Sequence, residues 1–408
     1  MAQPEQDVLI ERLGRYPVRR YPVQHANTQF HLGWVLLDSG DTTAAAVALT
    51  VAVQEFGRAG MRLESAKATM MLGIARRIAG RAAEASAAFE SAADDFRVTG
   101  QVAEQAAASY NQGLACQDRG DRQGAHDAWV AARELFVAAG LPAQAAAAAR
   151  DYGGSLLTGG EPLAAVAELT YAVGLGQQAT DPIGIGAAGN ALGLAHLAAG
   201  DPGAAVAALR EALAWVPRSV RPADHAMIKA NLAVAYEQAG ELARARLAAG
   251  QALALTGAAA PVRQQARRLL SGLPGPAHAA MLAVLDGEPP DRWVPDLREE
   301  VLRLADAPVA ERNRELSGLL DGVLGRPGTC YDLAEALLSV VLELPPAGYA
   351  IVVVALVDST GSRPRPDVER LQGVLGSAMA RFPLPQWQRI AASLNAAAVA
   401  AGQPATWR

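Results

Sequence analysis

Small side chains recur along this chain at a fixed spacing of 40 residues. Glycine occupies one position of the period six times in succession, at Gly40, Gly80, Gly120, Gly160, Gly200 and Gly240. A second series lies seven residues earlier, at Gly33, Gly73, Gly113, Gly153, Gly193 and Ala233. An alanine series follows the Gly40 series by five residues, at Ala45, Ala85, Ala125, Ala165, Ala205 and Ala245. A second alanine series follows the Gly40 series by twelve residues, at Ala52, Ala92, Ala132, Ala172, Ala212 and Ala252. Four series in phase predict six copies of one structural unit.

Within each period, the pattern predicts two helices joined by a tight turn. Gly40 and its equivalents precede a residue such as Asp41 or Asp121, which can begin a new helix after a left-handed helix stop. Three phenylalanines, each followed four residues later by glycine, mark the end of the second helix, at Phe56, Phe96 and Phe136. In later units prolines take over this role, at Pro182, Pro217 and Pro222.

A larger residue lies four positions after each member of the Ala45 series. These residues are Leu49, Phe89, Trp129, Leu169 and Leu209, with Ala249 in the sixth unit. We expect the Gly33 and Ala45 series to lie on facing helices, where minimal side chains allow close approach of the backbones. The large residue then fills the space beside them, which predicts that Trp129 is a buried core residue.

Composition supports a helical protein and argues against a polyanionic partner. Of the 408 residues, 51% are hydrophobic but only 5% are aromatic, and alanine and leucine favour closely packed helices. The formal net charge is −5, whereas nucleic-acid binding normally needs an excess of Lys and Arg. We therefore expect no nucleic-acid partner.

The chain carries no recognisable signal for a metal, a disulfide or a membrane. Cys116 and Cys330 are far apart and are expected to be buried apolar residues, and the six histidines show no metal-ligand spacing. The N-terminal twenty residues lack the apolar core of a signal peptide, and the longest apolar run, 349–357, is too short to span a bilayer. A cytoplasmic protein without cofactor or metal is the expectation.

The order of small and large residues resembles the tetratricopeptide repeat. The resemblance is clearest in Gly73, Ala85, Phe89 and Ala92, with Gly80 at the turn, and it covers about residues 26 to 255. The period of 40 differs from the usual 34 residues and is similar to a long subclass found in cell-polarity adaptors and bacterial peptide-sensing regulators. The resemblance implies an all-α, right-handed α-α superhelix that binds a protein or peptide on its concave face.

In that family the first helix of each unit lines the binding groove. Counting each unit from Ala26, the resemblance implies groove residues at Asn111, Asn231, Asn190, Tyr110, Arg150, Lys67, Arg77 and Trp34. An asparagine amide has a donor and an acceptor and can therefore hold a peptide main chain. The alternative is that these side chains are ordinary solvated residues of a polar surface. Trp34 also belongs to an apolar stripe with Phe30 and Leu37. There are two hypotheses for this stripe: it forms a hydrophobic pocket, or the segment 16–23 covers it as a cap.

Two patterns that suggest chemistry lack the required context. Gly184, Gly186 and Gly189 form a GxGxxG motif, but it falls inside a predicted helix and does not follow a strand, which argues against a dinucleotide site. Asp358, Thr360 and Ser362 follow the apolar run and loosely imitate a metal site at a strand end. We interpret that run as a buried helix or a short strand.

The predicted organisation has five parts. These are an N-terminal cap segment at 1–25, six helical hairpins at 26–257, a capping helix at 258–272, a Pro-rich linker at 273–295 and a C-terminal helical domain at 296–408. A helical bundle is the simplest form of the last part, and a degenerate continuation of the repeats is the alternative.

The leading functional hypothesis is a peptide-binding scaffold, as an adaptor or regulator. The rival is an enzyme with a small-molecule pocket in or beside the C-terminal domain. Self-association is left open.

Overall fold

The computed structural model describes residues 2–273 and 275–407, and all regular structure in that part of the chain is helical. This confirms the predicted all-α class. The fold divides into two compact units, residues 1–200 and 201–408, which are described separately.

Unit 1 consists of ten helices. Their bounds are α1 (Ala2–Arg15), α2 (Pro22–Asp38), α3 (Thr42–Arg58), α4 (Arg62–Ile78), α5 (Ala82–Val98), α6 (Val102–Asp118), α7 (Arg122–Ala138), α8 (Pro142–Thr158), α9 (Pro162–Ala179) and α10 (Pro182–Ala198). Most of these helices have 17 residues and are joined by three-residue turns. The residues beyond the usual repeat length therefore extend the helices and do not form long loops.

Glycine follows most helices of unit 1 in the left-handed conformation that the sequence predicts. At Gly120, φ is +80°, and the amide of Gly120 donates to the carbonyl of Gln117 while the amide of Asp121 donates to that of Cys116. This pair of hydrogen bonds satisfies two carbonyls that the end of α6 would otherwise leave open. Asp121 then accepts from the amide of Gly124 and so caps the start of α7.

The predicted contact between glycine and a large side chain occurs in each helix pair of unit 1. A Cβ atom added to Gly113 would lie 2.5 Å from the ring of Trp129, and one added to Gly73 would lie 2.7 Å from Phe89. Gly33 faces Leu49 and Gly153 faces Leu169 in the same way. The large residues are completely buried, which confirms that they fill the space beside the glycine.

The N-terminal helix corresponds to the second helix of a repeat. Helix α1 and α11, which begin 200 residues apart, both have 14 residues and lead into loops of the same conformation. After each loop a histidine Nδ1 donates to the carbonyl at the loop start, from His25 to Tyr16 at 2.9 Å and from His225 to Val216 at 2.7 Å. At the two positions where the other second helices bury alanine, α1 has the exposed residues Glu5 and Arg12. A charged face of this kind suits the end of a repeat array.

Unit 2 contains the remaining helices of the described chain. They are α11 (Pro202–Trp215), α12 (Pro222–Gln238), α13 (Leu242–Ala254), α14 (Ala260–Gly272), α15 (Ala277–Asp286), a short 3₁₀ helix (Pro290–Arg292), α16 (Trp293–Asp306), α17 (Val309–Leu324), α18 (Cys330–Glu343), α19 (Pro346–Gly361), α20 (Arg365–Met379) and α21 (Leu384–Ala400). Helix α14 packs against α12 and α13 at the place of the predicted capping helix.

The linker predicted at 273–295 is wrong in its main feature, because it contains α15. Met281 and Leu285 of this helix are buried in one apolar cluster with Trp293. Pro274, one of the prolines behind that prediction, lies outside the described residues. Pro276 and Pro295 lie at or near the start of a helix, where proline is tolerated. Proline density therefore marked helix starts and not a flexible connection.

The C-terminal helices are stacked in two rows. Helices α15, α17, α19 and α21 pack one after another along the first row, and α16, α18 and α20 along the second. This order is that of an α-α solenoid, which favours the continuation of the repeats over a closed bundle. The apolar run 351–357 lies within α19, so it is helical, and Thr360 donates to the carbonyl of Leu356. The GxGxxG motif lies inside α10.

Candidate functional site

The candidate site of unit 1 is the surface shared by the first helices of successive pairs, which we call the first-helix face. It is formed by α2, α4, α6, α8 and α10, in which equivalent residues are 40 positions apart. Two side-chain hydrogen bonds connect these helices directly. Arg77 of α4 donates to Asp118 of α6 at 2.7 Å, and Tyr110 of α6 donates to Asp151 of α8 at 2.6 Å.

The beginning of the first-helix face is apolar and open. Trp34 on α2 is 58% exposed, and Phe30, Met71 and Ile74 are half-buried around the same level of α2 and α4. Helix α1 packs against α2, and its Leu9 is buried in one apolar cluster with Leu32 and Leu36. Because more than half of Trp34 is exposed, the segment 16–23 does not cover it, contrary to that hypothesis. A single exposed tryptophan on a helical face is a typical anchor for a partner's side chain.

The middle of the face is polar and held in a fixed arrangement. Asp151 accepts a hydrogen bond from Tyr110, and its other oxygen accepts from Arg150 at 2.8 Å. Burial raises the pKa of Tyr110 well above its ordinary value, and the hydrogen bond to Asp151 raises it further. The phenol therefore keeps its proton and remains a donor at any physiological pH.

Two predicted groove residues retain free hydrogen-bonding or charged groups on this face. Asn111 is half-buried, and its Nδ2 donates to the carbonyl of Ala107 within α6 at 2.8 Å. Its Oδ1 makes no hydrogen bond with the described part of the chain and can accept one from a ligand. Lys67 is exposed on α4 and forms no ion pair with any described residue. Arg77 and Arg150, in contrast, are already paired with carboxylates.

The other two asparagines are buried. Asn190 on α10 is more than nine-tenths buried in unit 1. Asn231 on α12 is equally buried in unit 2, where Gln265 of the covering helix α14 donates to its Oδ1 at 3.3 Å. A ligand on an open face would not reach either side chain in this arrangement. For Asn190 the sequence holds a signal, because α10 is apolar around most of its circumference, which is typical of a helix covered on several sides.

Sequence reasoning missed the two carboxylates that organise the face. Asp118 and Asp151 each pair with a residue 41 positions earlier, on the preceding first helix. A spacing one residue longer than the period, with a donor before an acceptor, is the signal that could have identified them.

The fold and this face define a helical repeat protein whose open surface is built from first helices. The family model for the tetratricopeptide repeat matches residues 30–97 and 190–263. These two segments of the chain therefore contain tetratricopeptide repeats, which are generally protein-interaction modules. No helix in the described ranges is long and apolar enough to cross a membrane.

Three solved structures are similar to this chain at low sequence identity. BtubC (BKLC) from P. vanneervenii is 16% identical, with 52% of this chain and 90% of that chain covered and a TM-score of 0.46. A Podosopora anserina kinesin light chain with nearly identical TPR-like repeats is 17% identical, with coverage of 50% and 95% and a TM-score of 0.39. The human IFIT1 dimer with m7Gppp-AAAA is 12% identical, with coverage of 92% and 86% and a TM-score of 0.31. No curated protein sequence matches the chain. The assignment of tetratricopeptide repeats therefore rests on the repeat model and on the helix pairs themselves.

Proposed function

We propose that the first-helix face of unit 1 binds a peptide segment of a partner protein, so that the chain acts as an adaptor or regulator. An apolar side chain of the peptide packs on Trp34, and the peptide main chain runs toward α6, where Asn111 can pair with it. The observation that carries this proposal is the exposure of Trp34 on the same first-helix face as a polar network that is already ordered. A surface arranged before binding loses little conformational freedom when the ligand arrives.

Charge on the face supports a protein partner over a nucleic acid. Arg77 and Arg150 are neutralised by Asp118 and Asp151. Of the three cations among the predicted groove residues, Lys67 therefore forms no ion pair with any residue that the structure describes. Binding to a phosphate backbone requires several unpaired cations along one surface. An uncharged or weakly acidic peptide with a large apolar residue fits this face better.

Peptide selection tests the proposal. Peptides selected from a random library on the purified full chain would be labelled, and their dissociation constants measured by fluorescence polarisation. We expect Trp34→Ala and Asn111→Ala each to weaken binding by about tenfold, which corresponds to roughly 1.4 kcal/mol.

The matched control is Leu163→Ala, which removes an exposed apolar residue from α9, a second helix. This variant should bind the selected peptides like the unmodified chain. The proposal fails if the dissociation constants of both first-helix variants are unchanged, or if Leu163→Ala weakens binding as much as Trp34→Ala does.

A further inference from the structure

Helix α14 of unit 2 carries positive charge that no carboxylate of its own sequence balances. Its 13 residues include Arg263, Arg267 and Arg268 but no aspartate or glutamate. Arg267 and Arg268 are exposed, and none of the three arginines forms an ion pair with a described residue. Most other arginines of the described chain are paired with carboxylates, as Arg244 and Arg303 are. The polar face of α14 therefore differs from the rest of this protein.

The stability of the helix does not explain these three charges. Arg263 and Arg267 are four positions apart, so two like charges lie on neighbouring turns and repel each other. Arg263 is also the fourth residue of α14, close to the end where the helix dipole disfavours a cation, and no arginine lies in the last turn, where the dipole would favour one. A soluble surface needs charge, but it does not need a single sign of charge. An acidic ligand would offset this repulsion.

An open groove lies beside this face, between α12 and α14, and we call it the α14 groove. It has a volume of about 470 Å³. The residues that line it are Glu237 of α12 and Pro261, Gln264, Gln265, Arg268 and Leu269 of α14. Pro261 and Leu269 give the groove an apolar part, and Arg268 brings a guanidinium group to its wall. A groove of this size can hold the side chains of a short peptide.

The charge around the α14 groove is positive on one side. Glu237 is the one carboxylate among the lining residues, whereas α14 carries three arginines, which leaves an excess of two positive charges. Glu237 lies on α12, so the excess is confined to the side of α14. A ligand would therefore turn its acidic groups toward α14 and neutral or basic groups toward α12.

We propose that the α14 groove binds an acidic segment of a partner protein. Carboxylates of the segment pair with Arg267 and Arg268, and an apolar side chain packs on Leu269. A nucleic acid fits this surface less well, because its phosphates form a continuous line of negative charge and one side of the groove carries Glu237. The groove lies in unit 2, so this proposal does not depend on the peptide proposal for unit 1.

Fluorescence polarisation on the full chain tests the choice of ligand. The probe is a labelled peptide of the sequence Glu-Leu-Glu-Glu-Leu-Glu, the matched peptide has glutamine at every glutamate, and labelled oligothymidylate represents nucleic acid. We expect the acidic peptide to bind about tenfold more tightly than either of the other two, and its affinity to fall as salt is added. The proposal is overturned if the acidic peptide does not bind, if the glutamine peptide binds equally well, or if oligothymidylate binds more tightly.

Two double variants separate the groove from a general effect of charge. Arg267→Ala combined with Arg268→Ala should lower the affinity for the acidic peptide about tenfold. Its melting temperature should not fall, because both side chains are exposed. Arg292→Ala combined with Arg365→Ala removes the same net charge from exposed positions of unit 2 and should bind normally. Equal affinities of the two double variants would contradict the proposal.

Two single variants locate the peptide. Glu237→Gln removes the carboxylate from the wall opposite α14 and should raise the affinity for the acidic peptide about threefold, since a repulsive contact is lost. Trp34→Ala alters the first-helix face of unit 1 and should leave this affinity unchanged. If Trp34→Ala weakens the binding of the acidic peptide, or if Glu237→Gln does not strengthen it, the peptide does not lie in the α14 groove.

Discussion

Replacing Trp129 by alanine should lower the free energy of unfolding of unit 1 by about 3–5 kcal/mol. The indole is completely buried and lies against Gly113, whose missing side chain leaves space for it. The backbones of α6 and α7 cannot move closer without disturbing their contacts with neighbouring helices, so a cavity would remain. Chemical denaturation monitored by hydrogen exchange in α6 and α7 measures this loss.

The control for this prediction is Trp34→Ala. Trp34 is of the same residue type and lies in the same unit, but more than half of it is exposed, so its removal should cost less than about 1 kcal/mol. If both substitutions cost the same, Trp129 does not fill the space that the repeat pattern assigns to it.

The second large effect is expected from Arg303→Ala in unit 2. Arg303 donates two hydrogen bonds to Oε1 of Glu300, at 3.0 and 2.8 Å, and Glu300 is only 1% exposed. Burial alone would lower the pKa of Arg303, but Glu300 and Glu311 raise it above its ordinary value. Removal of the guanidinium leaves a buried carboxylate without its partner, and this should cost about 3–5 kcal/mol.

Hydrogen exchange in α16 and α17 reports this destabilisation. Arg314→Ala is the control, because Arg314 also pairs with a buried carboxylate, that of Glu315, but is itself largely exposed. We expect this change to cost less than about 1 kcal/mol. A cost that small for Arg303→Ala as well would mean that Glu300 is not a charged, buried group.

The repeat architecture could be predicted because it depends on local backbone chemistry. Only glycine adopts the left-handed conformation at Gly120 without strain, and only glycine leaves room for the ring of Trp129 at Gly113. Both requirements recur in every helix pair of unit 1, so the period is visible in the sequence. Helix α15 was missed because it has only ten residues and is flanked by prolines, which conceal an apolar pattern.

The candidate site was predicted less completely because accessibility is a tertiary property. Asn111 and Asn231 occupy equivalent positions of two repeats, but Asn111 is half-buried in unit 1, whereas α14 covers Asn231 in unit 2. Similarly, the exposure of Trp34 depends on which side of α2 the N-terminal helix contacts. The pairing of Tyr110 with Asp151 depends on how far the first helix of one repeat is shifted along the first helix of the next. The sequence of a single repeat does not specify this shift.

The repeat core is built by pairing a small residue with a large one. The sixth repeat supports this pairing, because the one unit with alanine in place of the large residue, Ala249, also has alanine at the glycine position, Ala233. A double-mutant cycle of Gly113→Ala and Trp129→Ala therefore measures whether the small and the large residue pack against each other. We expect Gly113→Ala to be destabilising in the unmodified chain, nearly neutral when Trp129 is already alanine, and the coupling between the two changes to be about 1–3 kcal/mol. If the two effects add to within about 0.5 kcal/mol, the two positions do not pack against each other, and the repeat core is not built on this pair.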